Sequence, residues 1–436
     1  MKFPKKPPKK IEESKYVDNL IRILRKHNNN HEFKKIIKDL NEKYYYWEKL
    51  LYMDTPKDIS KEDIWFLMKF ERNKEFKEIL IGDYKFKFNL TNYISKKLHE
   101  FDLNLGGNLT NDKLISSDDK DRFLLSSILE ESINSSRLEG ASTTIEVAKD
   151  MILNKKRPKD KNQKMILNNY LGMRKILDLK GQKLTKEILF KLHRTITQGT
   201  LEKDSYVGKF RETNEIKIID KTTGDIFHTP PNYEELDQLI EDFCDFYNNE
   251  QDYFIHPIVK ANILHFLFGF IHPFYDGNGR TGRIINILYL ILEKLQNLPI
   301  LYLSRYIIQN KSDYYRLLQE VREKNSWEEW ILFMIKAVES TSKETIDLII
   351  QIRELMMNYK HKLRENYKFY SQDLLNNLFK HPYTKIEFVV NDLNVSRITA
   401  ANYLNKLADD GLLKKEKIGT GNYYVNKLLF DLLVKR

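Results

Sequence analysis

Apolar residues along this chain recur mostly at three- and four-residue intervals, the spacing that lines one face of a helix. A clear case is 123–137, where Leu124, Leu125, Ile128, Leu129 and Ile133 share one stripe. Similar runs predict helices over 32–44, 144–153, 162–178, 185–198 and 284–295, with an amphipathic pair over 312–322 and 326–338 and a long helix on to about 367. The run 256–270 is apolar on every side, which predicts a helix buried in a core. Two stretches break the helical period. Tyr84-Lys85-Phe86-Lys87-Phe88 alternates as a half-buried strand does. Residues 215–219 and 226–231 flank a turn at 222–225 and read as a β-hairpin, with Pro230 and Pro231 marking its far end as an edge.

The last stretch changes character. Short helices over 386–393 and 396–409 are separated by Asn394-Val395, the second capped by Ser396 and stopped by Gly411. Two strand-like runs, 412–417 and 422–425, follow around Gly419-Thr420-Gly421. This is the pattern of a winged helix-turn-helix. Three parts are therefore expected: a basic arm and aromatic-rich helical extension over 1–115, a central helical region over 116–365 and the winged helix over 366–436. The fold class is mainly α, with one small β-hairpin flap at about 214–231.

Composition is compatible with this division. With 436 residues, 24 Phe, 25 Tyr, 16 Gly and 11 Pro, the chain has core material for two or three domains. A net charge of +11 suits a polyanionic partner, nucleic acid or nucleotide phosphate, although a general lysine bias accounts for it equally well. The single Cys244 excludes a disulfide framework and a cysteine metal cluster and fits a reducing cytoplasm. Residues 1–10 carry five lysines and three prolines with no apolar segment behind them, unlike a secretory signal. No apolar run approaches the roughly 18–20 residues that a membrane span needs, so a soluble cytoplasmic protein without membrane contacts is expected.

Chemistry concentrates in 272–283, His-Pro-Phe-Tyr-Asp-Gly-Asn-Gly-Arg-Thr-Gly-Arg. Asp276-Gly277-Asn278-Gly279 is a hairpin signal, but the residues after it are helical. Gly277 to Gly282 fits a dinucleotide-binding G-x-G-x-x-G, but no strand precedes it. An anion hole remains: glycines let backbone N–H groups face a phosphate at a helix N-terminus. Arg280 and Arg283, three apart on the first turn, would converge on one anion. Asp276 can hold a hard cation that bridges phosphates, with Mg²⁺ the expected ion. His272, just upstream, is placed to act as general base. Phe274 anchors the loop in the core, and His256 and His265 are structural.

Residues 272–283 resemble, without departure, the HPFx[D/E]GNGRxxR signature of the Fic family, and the likeness extends over about 84–365. Members typically transfer AMP from ATP to a hydroxyl side chain of a protein. The resemblance implies a Fic-type helical bundle with ATP as substrate and Mg²⁺ on Asp276. His272 would deprotonate a target Tyr, Thr or Ser; Gly277, Asn278 and Gly279 would form the anion hole, followed by Thr281 and Gly282. Arg280 and Arg283 would hold the β and γ phosphates. A relative that phosphorylates carries lysine where Gly279 stands, which favours AMP transfer. Phe227 and His228 fall in the flap, along which a protein target would lie, and Tyr314 with Tyr315 resembles the pair near adenine. Where some relatives have an asparagine, this chain has Arg322. Ser135-Ser136-Arg137-Leu138-Glu139-Gly140 matches the inhibitory [S/T]xxxE[G/N] motif, so Glu139 would pair with Arg283 from a helix at about 122–140.

Two other functions are compatible with the sequence. The winged helix would bind DNA, making the chain a transcriptional regulator, through Arg397, Asn402, Tyr403 and Lys406, although many such domains contact proteins instead. The reverse reaction, removal of AMP from a modified protein, is the other. Self-modification and homo-oligomers are both compatible with the sequence.

Overall fold

The computed structural model describes residues 13–27, 30–43, 45–55, 60–73, 76–103, 117–153, 156–219, 224–293, 295, 303–418 and 421–434. The basic stretch 1–10, Asn28, Asn29, Tyr44, the 104–116 part of the polar linker, Thr222 and Thr223 of the flap turn, and Gly419 and Thr420 of the wing turn lie outside the described residues. The chain forms two units, each drawn from three stretches. The first comprises 1–102, 212–272 and 310–336, the second 103–211, 273–309 and 337–436.

In the first unit, strand Lys77–Ile81 pairs antiparallel with Tyr84–Phe88, Ile79 opposite Phe86. Alternation sends Ile79, Ile81, Phe86 and Phe88 inward. Phe86 meets Phe266, Phe270 and Trp327 edge-on, with centroids 5.7, 5.2 and 6.2 Å apart. Phe266 and Phe270 belong to helix Pro257–Ile271, whose flanks are apolar on all sides because it runs through the core. It starts where Pro257 can do without an N–H, and His256 Nδ1 accepts from Ile258 N at 3.2 Å. The N-terminal helices Glu13–His27, His31–Glu42, Trp47–Leu51 and Lys61–Asn73 close around their own cluster, with Phe33, Ile37, Leu50 and Met68 at its centre.

The second unit is built on helices Ser117–Leu138, Lys161–Leu179, Lys186–Thr197 and Asn278–Leu292. Asp160 and Thr185 cap the middle two by accepting from Gln163 N and Ile188 N. Gly172 is the point of closest approach: a Cβ there would lie 2.6 Å from Ile196 Cγ2 and 3.0 Å from Ile284 Cδ1. The C-terminal part contains helices Gln372–Lys380, Ile386–Leu393, Arg397–Asp409 and Lys427–Val434. Its sheet places Gly421–Val425 between Tyr383–Thr384 and Lys414–Ile418. It docks on the helix Ser117–Leu138. Phe430 packs against the cluster of Leu129, Ile133, Met151 and Ile166. The buried Lys149 donates to Leu433 O at 2.7 Å and pairs with the equally buried Glu130.

One expectation is corrected. Residues 326–338 and the long helix after them are a single helix, Trp327–Asn366, of 40 residues. No proline or glycine interrupts this stretch, so nothing in the backbone stops the helix. No described helix is long and apolar enough to cross a membrane.

Candidate active site

Helix Pro257–Ile271 ends at His272, which adopts the left-handed conformation, φ 48° and ψ 59°, while its N–H still bonds to Phe268 O at 3.0 Å. That reversal turns the chain out of the helix at the residue expected to serve as base. In the second unit the loop continues as Pro273, whose carbonyl accepts from Arg211 N at 2.8 Å. Phe274 is fully buried, as its anchoring role requires, and its ring stacks on His193 with centroids 3.7 Å apart and planes 6° from parallel. Asn278 reaches back across the turn. Its Oδ1 accepts from Phe274 N at 2.9 Å and its Nδ2 donates to Phe274 O at 2.7 Å. Gly277, at φ +83°, is the N-cap of helix Asn278–Leu292, and its carbonyl accepts from Thr281 N and Oγ1 at 3.0 and 2.9 Å. The Asp276 carboxylate caps the same turn by accepting from Gly277 N at 2.5 Å, yet its side chain stays 61% exposed.

The two arginines do different things. Arg283 is 4% exposed; its Nε donates to Ser135 Oγ at 2.8 Å, and its Nη2 to Ser135 O at 3.0 Å and Glu139 Oε1 at 2.7 Å. A Cβ added to Gly279 would overlap Glu139 Oε1, so this carboxylate stands over the first turn of helix Asn278–Leu292. Glu139 reaches that place because the helix Ser117–Leu138 stops just before it. Gly140, at φ +103°, closes the end with Gly140 N bonded to Arg137 O and Ala141 N to Ser136 O. Arg280 is held by a different set of partners. It is 1% exposed, its Nη1 donates to Ile196 O at 3.0 Å, and its Nη2 lies 3.9 Å from Asp276 Oδ1. Three residues along a helix is about 300° of rotation, and at Arg280 the direction taken is toward the helix Lys186–Thr197.

Burial perturbs several groups around this loop. The His193 imidazole is lowered to about 4, chiefly by burial. Burial likewise lowers Arg280 from its ordinary value. Glu131, one turn before Ser135, is raised to about 7 by burial, against the pull of its bonds from Ser304 N and Oγ and of the nearby Arg283.

A hard cation fits this cradle only in a substrate-dependent way. Asp276 offers an exposed carboxylate, and no group of three or more acidic, His or Cys side chains is clustered for a metal among the described residues. One carboxylate completed by phosphate oxygens and water is the arrangement Mg²⁺ tolerates best.

In the first unit the flap is shorter than the sequence suggested: strands Ile218–Ile219 and Ile226–His228, Ile218 opposite His228, with a bulge between. His228 Nε2 donates to Phe270 O at 2.7 Å. Phe227 is held from two sides, by Arg322, whose guanidinium lies 4.3 Å from its centroid and donates to Phe227 O at 3.1 Å, and by Tyr315 edge-on at 5.5 Å. Tyr314 is the buried member of the pair, its hydroxyl 2.7 Å from His265 Nε2 and its ring against Trp330. Tyr315 and Arg322, rather than Tyr314, therefore face the flap phenylalanine.

On the C-terminal helix Arg397–Asp409, Arg397 and Asn402 are exposed beside Ile398, which is 75% exposed. Tyr403 stacks on Phe369 at 4.2 Å and 9°, and Lys406 pairs with Asp410 at 2.9 Å. Of the four residues considered for DNA, Tyr403 is thus stacked inside the domain, while Lys406 forms a surface pair and stays 58% exposed.

Sequence reasoning missed His193, Ile196 and Thr197, the floor under the loop. His193 shows only as one polar residue on the apolar face of Leu189, Leu192 and Ile196, with no local signal of a task.

Residues 183–290 match the Fic/DOC family, and residues 355–429 match the C-terminal domain of SoFic-like protein adenylyltransferases. The chain is similar to a "Protein adenylyltransferase Fic" of Nematostella vectensis, 27% identical over 162 residues, 37% of this chain and 34% of that protein. One of Drosophila grimshawi is 29% identical over 123 residues, 28% of this chain and 23% of that protein. The chain thus spans about a third of the length of the first of these curated relatives and about a quarter of the second. Among solved structures, a Fic family protein from Desulfovibrio desulfuricans shares the fold, with a TM-score of 0.52 and 20% identity, covering 78% of this chain and 97% of that one.

Proposed function

Because the chain carries a Fic domain, we propose that it transfers AMP from ATP to a protein hydroxyl and that Glu139 restrains the transfer. The observation that carries this reading is the cradle itself: a helix N-terminus capped by Gly277, the guanidinium of Arg283, and a carboxylate, Glu139, sitting where an anion would. The names of the curated relatives point the same way.

In this reading His272 takes the proton of a Tyr, Thr or Ser hydroxyl on the target, which lies along the flap hairpin. The freed oxygen bonds to the α-phosphorus while the bond to the bridging oxygen of pyrophosphate breaks, and pyrophosphate leaves. Backbone N–H groups of Gly277 to Gly279 receive the charge that builds on the phosphate oxygens. Arg283 takes up the γ-phosphate once Glu139 releases it. A Mg²⁺ ion held by Asp276 and phosphate oxygens would neutralise charge on the departing pyrophosphate. No protein nucleophile is required, because phosphoryl-type transfer rests on positioning and charge stabilisation.

The test uses ATP labelled at the α or at the γ phosphate, with Mg²⁺ and a cell lysate. Label from the α position should remain on protein, including the enzyme's own chain, and should disappear with His272→Ala. Retention of γ label instead, or α label undiminished by His272→Ala, would refute the proposal.

A further inference from the structure

His193 is fully buried on the helix Lys186–Thr197 and makes three contacts, two of them to the 272–283 loop. Its ring lies flat on Phe274 at 3.7 Å. Its Nε2 is 2.8 Å from Asp276 O. Its Nδ1 accepts from Gly208 N at 3.0 Å. The last contact fixes the tautomer. A nitrogen that accepts carries no proton, so the hydrogen of the neutral ring is on Nε2 and is donated to Asp276 O.

That bond has a geometric consequence. The C=O of Asp276 and the N–H of Gly277 belong to one planar trans peptide and point in opposite directions. Holding the carbonyl down onto His193 turns the Gly277 N–H away from the core, on the side where the Asp276 carboxylate now accepts it at 2.5 Å. The neighbouring residues allow little other choice. A Cβ on Gly277 would lie 2.7 Å from Thr197 Cγ2 and 3.4 Å from His193 Nε2, so the loop lies directly on this helix. Arg280, on the next turn, is tied to Ile196 O of the same helix.

We propose that His193 is a positioning residue for the anion cradle: through its Nε2–H bond to Asp276 O it aims the Gly277 N–H at the phosphates of the nucleotide. The proposal rests on the nucleotide site described under Proposed function. It assigns a role to a residue outside the 272–283 motif, and it differs from a simple packing role in predicting a selective effect on phosphate binding.

Two amides separate the alternatives. In His193→Gln the side-chain amide nitrogen reaches about as far as Nε2 and keeps a donor for Asp276 O. In His193→Asn the amide oxygen overlays Nδ1 and keeps only the acceptor for Gly208 N. Both lose the ring stack on Phe274, so a difference between them reports the hydrogen bond. The assay is calorimetric titration of the full chain, in a Glu139→Gly background, with ATP plus Mg²⁺ and separately with adenosine, alongside thermal melting. The expected result is ATP affinity about tenfold weaker in His193→Asn than in His193→Gln, the scale of one hydrogen bond to a charged group, with adenosine affinity alike in both. Equal ATP affinities in the two folded variants, or a parallel loss for adenosine, would overturn the proposal and leave His193 as packing. Should His193→Asn not fold, His193→Phe, which keeps the ring on Phe274 but carries neither ring nitrogen, is compared instead with the Glu139→Gly parent: about tenfold weaker ATP with unchanged adenosine supports the proposal, and unchanged ATP or a parallel loss for adenosine overturns it. Failure of the nucleotide reading itself looks different: the Glu139→Gly parent would then bind no ATP.

Discussion

Replacing Glu139 with glycine tests the cradle most directly. Its carboxylate accepts from Arg283 Nη2 at 2.7 Å and lies over Gly279, so in the proposed reading a γ-phosphate would have to displace it to reach the guanidinium. A hydrogen bond between charged groups contributes about 1.5–3 kcal/mol. The Glu139 side chain is 28% exposed, so water screens part of that, and the lower end of the range applies. At about 1.4 kcal/mol per factor of ten, the variant should bind ATP about tenfold more tightly. AMP has no γ-phosphate and should gain much less. The fold should tolerate the change, because Glu139 follows the last helical residue, Leu138, and precedes a glycine already in a left-handed conformation. Titration calorimetry with ATP and AMP reads the affinities and melting checks the fold. Glu139→Gln, which keeps a neutral acceptor, should fall between wild type and glycine. An ATP affinity within twofold of wild type, or an equal gain for AMP, would show that Glu139 does not compete with phosphate.

Other outcomes follow from burial and backbone geometry. Glu131 is raised to about 7 by burial while facing Arg283, Glu130 and the Ser304 donors; an unfolded glutamate titrates near the ordinary 4.5. The folded state therefore holds a proton the unfolded state has lost, so this group lowers stability as pH rises from about 4.5 to about 7, by on the order of 3 kcal/mol in all. Glu131→Gln should flatten that part of the stability curve, and urea melts at pH 5 and pH 8 with the same difference as wild type would contradict it. Gly277→Ala places a methyl 2.7 Å from Thr197 Cγ2 at φ +83° and should cost at least about 1–2 kcal/mol, read by chemical denaturation; an unchanged midpoint would mean the loop is not held as described. Lys149→Met strands the buried Glu130 carboxylate and empties the Leu433 carbonyl, for a loss of about 3 kcal/mol. The double variant with Glu130→Gln should recover part of it, and a double no more stable than Lys149→Met would argue against the buried pair.

Local features of the sequence carried much of the site. Helical periodicity, Gly277 in a position that demands positive φ, the capping Gly140 and the spacing of Ser135 from Glu139 depend on residues within a turn or two of each other, and such signals survive without the fold. The 272–283 motif belongs to the same class, since its turn is closed by its own Asn278, Asp276 and Thr281. The absence of proline and glycine from 327–366 was also written in the sequence, but the apolar pattern read better as two helices, and only packing along its length makes one.

What the tertiary structure decided is where long side chains go. Periodicity places Arg280 and Arg283 on one turn, but it cannot say that Arg280 has a carbonyl waiting at Ile196 while Arg283 has an acid 144 positions earlier. Tyr314 and Tyr315 are equally aromatic; burial against His265 and Trp330 takes one of them into the core and leaves the other at the flap. His193 carries no sequence mark at all, because its task is defined by the carbonyl and the ring it meets, which lie some 80 residues away. The sequence by itself determined the turns, caps and helices that build the cradle, since short-range backbone sterics and hydrogen bonds set them. The partners of its charged and buried side chains were decided only in three dimensions, because a guanidinium or imidazole removed from water takes whichever acceptor the fold brings within reach.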